Sequence, residues 1–259
     1  MLDLTARTEA GARLVRVAET LTGDLAGRAG VHDRDGTYPH ESVDALKREG
    51  CFRAPIPVEH GGLGVTSVHD VLVASSRLAR GDASVAIGVN MHLVLLMNIV
   101  RRWQVAVAAV DERRARAFGA SLQAVAREGV VMAAAISEPG QDLSRPRTTA
   151  TRTASGWRID GRKAFCTMAP AATVLYTAVT FVDDDGVERY GYAQVPPDAP
   201  GVELHDDWDA LGMRASGSHS VTFAGAEVPA AALRGGFRTG DAVAFMGRNL
   251  AAGLLHASA

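Results

Sequence analysis

An α+β fold of two domains is predicted by one change of periodicity. Up to about residue 128 apolar residues recur at helical spacing, and from Gly129 onward they alternate. A second observation is the set of turn signals that punctuate the alternating half: Ser155-Gly156, Asp160-Gly161 and the acidic run Asp183-Asp184-Asp185-Gly186. A third is composition. With 259 residues, 47% of them hydrophobic and 22% charged, the chain is an ordinary globular sequence able to bury a substantial core.

The elements follow in order. Leu14, Val17, Ala18, Leu21 and Leu25 form one apolar stripe on an otherwise polar first helix. Pro39 ahead of His40-Glu41 suits the first turn of a second helix, which Gly50 ends. Phe52 to Gly64, with two prolines and three glycines, reads as a connector. Ser67 followed by Asp70 resembles a capping box that opens a helix running to about Arg80. An apolar helix from Ser84 to about Arg101 comes next, then one from Asp111 to about Arg127. In the second half Thr149, Thr151 and Thr153 alternate into a turn at Ser155-Gly156, and Trp157 and Ile159 alternate into Asp160-Gly161. Val174 to Phe181 and Arg189 to Val195 flank the acidic turn, and a last strand near Ser220 to Phe223 ends at Val228-Pro229. After Gly235-Gly236 the segment from Asp241 to Ser258 turns helical again. The domain boundaries so predicted are 1–128, 129–236 and 237–259.

Several function classes fall away. With 27 basic and 29 acidic residues the net charge of −2 argues against nucleic acid or an anionic membrane as the main partner. Cys51 and Cys166 lie far apart without a CxxC pattern, which fits free thiols in a reducing compartment. The N-terminus carries Asp3 and Glu9 and has no apolar core run, so no signal peptide is read there. The longest apolar stretch, Val85 to Val100, is shorter than a bilayer span and contains Asn90, His92 and Asn98, which predicts a buried helix. A cytoplasmic protein is the expectation.

The stretch that carries chemistry runs from Ile136 to Thr167. Ser137 and Thr167 are hydroxyls at strand ends, and Phe165 is an aromatic two residues before the second of them. Such a layout suits a β-surface that hydrogen-bonds the edge of a flat heteroaromatic ring and walls its face. Taken singly, each residue has a plainer explanation: hydroxyls at strand ends satisfy local backbone groups, and a lone Phe packs a core. Glu59 to Gly64 is glycine-rich but matches neither a P-loop nor a dinucleotide fingerprint. His60, His69 and His92 lack metal-ligand spacing, and Arg214 to His219 offers Ser and His without a nucleophile elbow.

Four blocks stand in a familiar order: Tyr38-Pro39 with Gly50 to Gly64, Ser137-Glu138-Pro139-Gly140, Gly161 to Thr167, and Leu211 to Ser216 leading to Val228-Pro229. Together they resemble the acyl-CoA dehydrogenases, over nearly all of the chain. The resemblance implies an all-α N-terminal domain, an antiparallel β-barrel middle domain, and the start of a C-terminal helical bundle that opens with Arg248 to Gly253. It also implies FAD. Ala134, Ala135, Ile136 and Ser137 would meet the pyrimidine edge of the flavin, and Phe165, Cys166 and Thr167 would lie along the isoalloxazine with the hydroxyl near N5. An acyl-CoA thioester is the implied substrate. An electron-transfer flavoprotein or oxygen is the implied acceptor, and a homo-oligomer, or a hetero-oligomer with a chain supplying the bundle, the implied assembly.

The sequence departs from the family in two places. The loop after Gly140 reads Gln141-Asp142-Leu143-Ser144 and is about two residues shorter than the family pattern, so Gln141, Asp142 and Ser144 are substrate-side candidates that an ordinary polar turn would equally explain. The chain also stops at Ala259, before the bundle that carries the family's catalytic glutamate. No catalytic residue is therefore assigned, and Glu138 is read as part of the turn signature. A truncated enzyme, a short subunit completed by a partner and an inactive relative all remain open. The expected activity is α,β-dehydrogenation of an acyl-CoA. A flavin monooxygenase or nitroso-forming oxidase of the same fold is the alternative, since Phe165-Cys166-Thr167 and the altered loop suit such relatives, and a non-catalytic subunit is a third reading.

Overall fold

The structure, a computed structural model, describes residues 4–140 and 142–246. The chain forms two compact units. Among the described residues, the first comprises those up to Val131 together with Ala210–Ser216, and the second comprises Met132–Asp209 and 217–246.

The first unit is helical, and side-chain caps set the start of most of its helices. Helix α1 (Glu9–Asp35) begins where Thr8 Oγ1 accepts from Gly11 N at 3.0 Å, and ends at Gly36, whose φ is 65°. Its stripe of Leu14, Ala18, Leu21 and Leu25 is buried, as the spacing predicts. Helix α2 (His40–Arg48) follows Pro39, and α3 (Val68–Ala79) is capped by Ser67 Oγ, which accepts from Asp70 N at 3.3 Å. The Asp70 carboxylate does not complete the capping box. It is buried and accepts instead from Arg7 N at 2.8 Å, Thr8 N at 3.1 Å and Thr8 Oγ1 at 2.6 Å, which pins the start of α1.

Helix α4 (Ala83–Ala108) starts at the Asp82 cap and runs past Arg101, because the Val-Ala-Val-Ala segment offers no breaker before Val110. It is long and apolar enough to cross a membrane, yet 61% of its most apolar window is buried within the protein, so it serves as a core helix of this unit. On it His92 is fully enclosed, with Nε2 2.8 Å from the Phe52 carbonyl, and burial lowers its pKa to about 4. Helix α5 (Glu112–Glu128) is capped by Asp111 and ends at Gly129.

The second unit is one eight-stranded sheet: β1 (Met132–Ala135), β2 (Thr149–Arg152), β3 (Gly156–Cys166), β4 (Val174–Val182), β5 (Glu188–Val195), β6 (Val202–Leu204), β7 (His219–Pro229) and β8 (Leu233–Arg238). The order is β6-β7-β3-β2-β4-β5-β8, an open path with β1 attached beside β4. Most pairs are antiparallel, but β1 and β2 each pair with β4 in parallel. Residues from β1, β2, β3, β4, β5 and β7 share one core, among them Ala133, Ala135, Ile159, Leu175, Val221 and Phe223. Ala178, Tyr190 and Phe237 pack a second cluster with Ile136 and Phe245.

Two sequence expectations are corrected here. Asp160-Gly161 makes no hairpin and lies inside β3, at a register shift opposite Gly225. Asp160 Oδ1 accepts from Gly225 N at 2.8 Å, and Gly161 has a φ of 149°, which glycine alone adopts readily. A Cβ on Gly161 would sit 2.4 Å from Thr148 Oγ1, so the glycine serves close approach and not a turn. Gly235-Gly236 likewise does not end the sheet but lies within β8, which pairs with β5. A Cβ on Gly236 would meet the Tyr190 carbonyl at 2.8 Å. Beyond Asp241, whose carboxylate accepts from Ala244 N at 2.9 Å, residues 242–246 are helical, and the remainder of the expected helix, with Arg248 to Gly253, lies outside the described residues.

Candidate functional site

The segment after β1 and the end of β3 meet in the second unit, and a buried ion pair joins them. Lys163 on β3 has a side chain with no solvent exposure, and its Nζ lies 2.6 Å from Glu138 Oε1. The same ammonium donates to the Ile136 carbonyl at 3.3 Å, and Ala164 N donates to the Ser137 carbonyl at 2.9 Å. Glu138 accepts three further hydrogen bonds, from Thr148 N (2.9 Å), Thr148 Oγ1 (2.6 Å) and Arg147 N (2.8 Å). Burial by itself raises the Glu138 carboxyl, but the bonds from Lys163 and Thr148 outweigh it and hold its pKa below the ordinary value. Burial likewise lowers the Lys163 ammonium, against the support of Glu138. Glu138 is thus the staple that closes the loop 139–147.

Along this seam the sequence candidates are presented differently. Ala133 and Ala135 point into the core, so a ligand could reach only backbone groups of the Ala134–Ile136 stretch, and the Ile136 side chain packs the second cluster. Among the described residues β1 pairs with β4 alone, which leaves alternate backbone groups of Ala133–Ala135 facing away from a paired strand. Neither the Ser137 N–H nor its hydroxyl has a hydrogen-bond partner among the described residues. Phe165 is 63% exposed with a φ of 56°, and Met168 just beyond has a φ of 66°. A bulky residue held in the left-handed region is strained, and such strain collects at ligand sites.

Thr167 is buried, and its Oγ1 lies 2.9 Å from Ser218 Oγ. Cys166 is sealed in the core, where burial pushes its thiol to about 12, so only its backbone is available. Trp208 stands edge-on to Phe165 at 6.0 Å between centroids, its backbone N–H held at 3.1 Å by His219 Nδ1. That bond, and the one between Ser218 and Thr167, occupy the Ser and His of the Arg214–His219 block.

Of the substrate-side candidates with a described position, Asp142 is exposed and Ser144 is enclosed. Ser144 is buried and both its N–H (2.9 Å) and its hydroxyl (2.8 Å) donate to Asp142 Oδ1, a local turn that lowers the Asp142 pKa. Gln141 lies outside the described residues. A separate cleft of about 480 Å³ at His60, Trp103, Gly119 and Gln123 lies within the helical unit and gathers none of these residues. Among the described residues no group of three or more His, Cys, Asp or Glu could hold a metal ion. Lys163 and Thr148 were the residues that sequence reasoning passed over; the only available signal was a lysine on the inward face of an alternating strand.

The edge of β1, the partnerless Ser137 groups and the exposed Phe165 therefore fit a flat ring with polar atoms along one edge. The N-terminal domain of the acyl-CoA dehydrogenases matches residues 12–104 and their middle domain residues 133–226. An L-evernosamine nitrososynthase of a Micromonospora species is 35% identical over 219 residues, 83% of this chain and 50% of the relative. The structure of KijD3 in complex with FMN and dTDP-3-amino-2,3,6-trideoxy-4-keto-3-methyl-D-glucose superposes with a TM-score of 0.86 at 29% identity, over 98% of this chain and 61% of that one. FMN-bound TdsC from Paenibacillus sp. A11-2 gives a TM-score of 0.74 at 32% identity, over 86% of this chain and 54% of that one. The chain spans about half the length of the curated relatives it matches.

Proposed function

The chain belongs to the acyl-CoA dehydrogenase family, and on that premise we propose that it contributes the cofactor-side surface of a flavin-dependent monooxygenase acting on the amine of a nucleotide-linked amino sugar. The observation that carries the flavin is Ser137, whose N–H and hydroxyl have no partner among the described residues, beside the open edge of β1 and the exposed Phe165. What supports oxygen chemistry over thioester dehydrogenation is the kinship to a nitrososynthase, to KijD3 and to TdsC, together with a loop whose Asp142 and Ser144 bond each other. Those kinships favour FMN as the flavin, where the sequence resemblance alone implies FAD.

In this reading reduced flavin, when bound, supplies the two electrons by which one atom of oxygen enters the amine and the other leaves as water. The chain's residues do the holding. Ser137 N–H and Oγ and backbone groups of Ala134–Ile136 bind the polar edge of the ring, and Phe165 supplies an apolar wall that keeps water from its face. The Thr167–Ser218 hydroxyl pair can hold a proton at Thr167 Oγ1. Cys166 and Ala135 shape the floor without presenting side chains.

The test uses the full-length protein with a flavin reductase, NADH, oxygen and a dTDP-linked amino sugar, with products read by mass spectrometry and released flavin identified by chromatography. Gain of oxygen at the amine, dependent on O₂, is the expected result. Bleaching of the bound flavin by an acyl-CoA under anaerobic conditions, with no oxygenated sugar, would return the protein to thioester dehydrogenation.

A further inference from the structure

A lysine with no exposed side-chain surface needs a reason, because desolvating an ammonium is costly and a buried ion pair often adds nothing to stability. Glu138 balances the charge of Lys163, but the ammonium also reaches a second acceptor, the Ile136 carbonyl at 3.3 Å. That carbonyl shares its peptide with the Ser137 N–H. In a trans peptide the two point in opposite directions, so charge drawn from the oxygen strengthens the N–H as a donor on the far side. The Ser137 N–H has no partner among the described residues. Its direction is fixed from both flanks: Lys163 holds the peptide before Ser137, and Ala164 N holds the carbonyl after it at 2.9 Å. Glu138 meanwhile spreads its charge over Thr148 and Arg147 as well as Lys163, which leaves the ammonium able to polarise the Ile136 carbonyl.

We propose that Lys163 is a positioning residue that polarises the Ile136–Ser137 peptide and thereby makes this surface prefer reduced over oxidised flavin, an inference that rests on the flavin site argued above. The chemistry is direct. Two-electron reduction leaves negative charge on the pyrimidine side of a flavin, and a donor already aligned and charge-assisted favours the state in which that charge has developed. An oxygen-using enzyme that must capture reduced flavin benefits from such a preference.

The experiment is an anaerobic titration of the full-length protein with oxidised and with reduced FMN, for wild type, Lys163→Gln and Lys163→Arg, with circular dichroism to confirm that each is folded. Wild type is expected to bind reduced FMN about tenfold or more tightly than oxidised FMN, the equivalent of about 30 mV for a two-electron couple. Lys163→Gln should erase most of that ratio and Lys163→Arg should restore it. Equal weakening of both redox states in Lys163→Gln would overturn the proposal, since a merely structural lysine acts that way. Equal affinity of wild type for the two states would overturn it too, even if no variant folds. A wild type that binds flavin in neither state would instead count against the flavin site itself.

Discussion

The helical unit and the β unit each enclose a titratable side chain, and they do so in opposite ways. His92 has its Nε2 2.8 Å from the Phe52 carbonyl and its pKa lowered to about 4, so it sits neutral in the helical core. Lys163 is held as a cation by a carboxylate at 2.6 Å and a carbonyl at 3.3 Å. A neutral imidazole needs no counter-charge; a buried ammonium recruits Glu138, and through it Thr148 and Arg147, into one network. The first arrangement holds a scaffold together. The second concentrates charge at the seam where Ser137, without a partner among the described residues, and a strained aromatic also lie.

The sharpest way to break the contrast is to strand one charge. Lys163→Ala leaves the Glu138 carboxylate buried without its cation and is expected to destabilise the β unit by about 3–5 kcal/mol in urea unfolding. Replacing both partners, as Lys163→Met with Glu138→Leu, should cost less than the sum of the single changes; strict additivity would mean the pair is not coupled. His92 is expected to answer to pH. Its folded pKa lies below the unfolded one, so its contribution is complete above about pH 6.5 and is lost as pH falls toward 4. The loss is on the order of 3 kcal/mol at about 1.4 kcal/mol per unit, visible in helical ellipticity and flattened in His92→Gln.

Glu138 has its depressed pKa on the other side of that window, so stability tied to it is present above about pH 4.5 and lost only in stronger acid. Helical and β-sheet unfolding should therefore part between pH 6.5 and 4.5, as judged by circular dichroism against the fluorescence of Trp157 and Trp208 in a Trp103→Phe background. Smaller effects sharpen the comparison within the β unit. Phe165→Gly removes an exposed ring from a left-handed backbone position and should leave stability unchanged or raise it by about 1 kcal/mol, while flavin affinity falls. Ser137→Ala should leave the melting temperature unmoved and weaken flavin binding by less than Phe165→Gly. A parallel loss of stability and affinity in either variant would mark the residue as structural.

How much of this was legible beforehand differs between the units for a physical reason. Helix stripes and caps are local: Leu14 to Leu25 and Ser67 could be read because the responsible residues lie within a few turns of each other. Asp70 escaped because its partners, Arg7 and Thr8, are about sixty residues away. In the β unit Ser137 and Thr167 read as strand-end hydroxyls and do follow β1 and β3, but Lys163 was not singled out, since alternation marks a face without saying that a lysine there finds a carboxylate 25 residues earlier. Asp160-Gly161 and Gly235-Gly236 misled for a shared cause. Glycine signals a turn in local sequence, yet here it makes room for Thr148 and for the Tyr190 carbonyl, contacts that exist only after the sheet has formed.

The segment Ala210–Ser216 belongs with the helical unit although the sheet lies on both sides of it in the chain. Within that unit Arg214 Nε donates to the Asp33 carbonyl at 2.7 Å, near the end of α1. During synthesis, then, the five helices emerge long before the residue that ties off the first of them, and β3 must wait for β7, which follows the same segment. Neither unit can be completed by the ribosome alone in sequence. A single cut near residue 131 would free neither from the other's chain, so fragments meant to fold independently must be built by splicing around 210–216 and not by truncation.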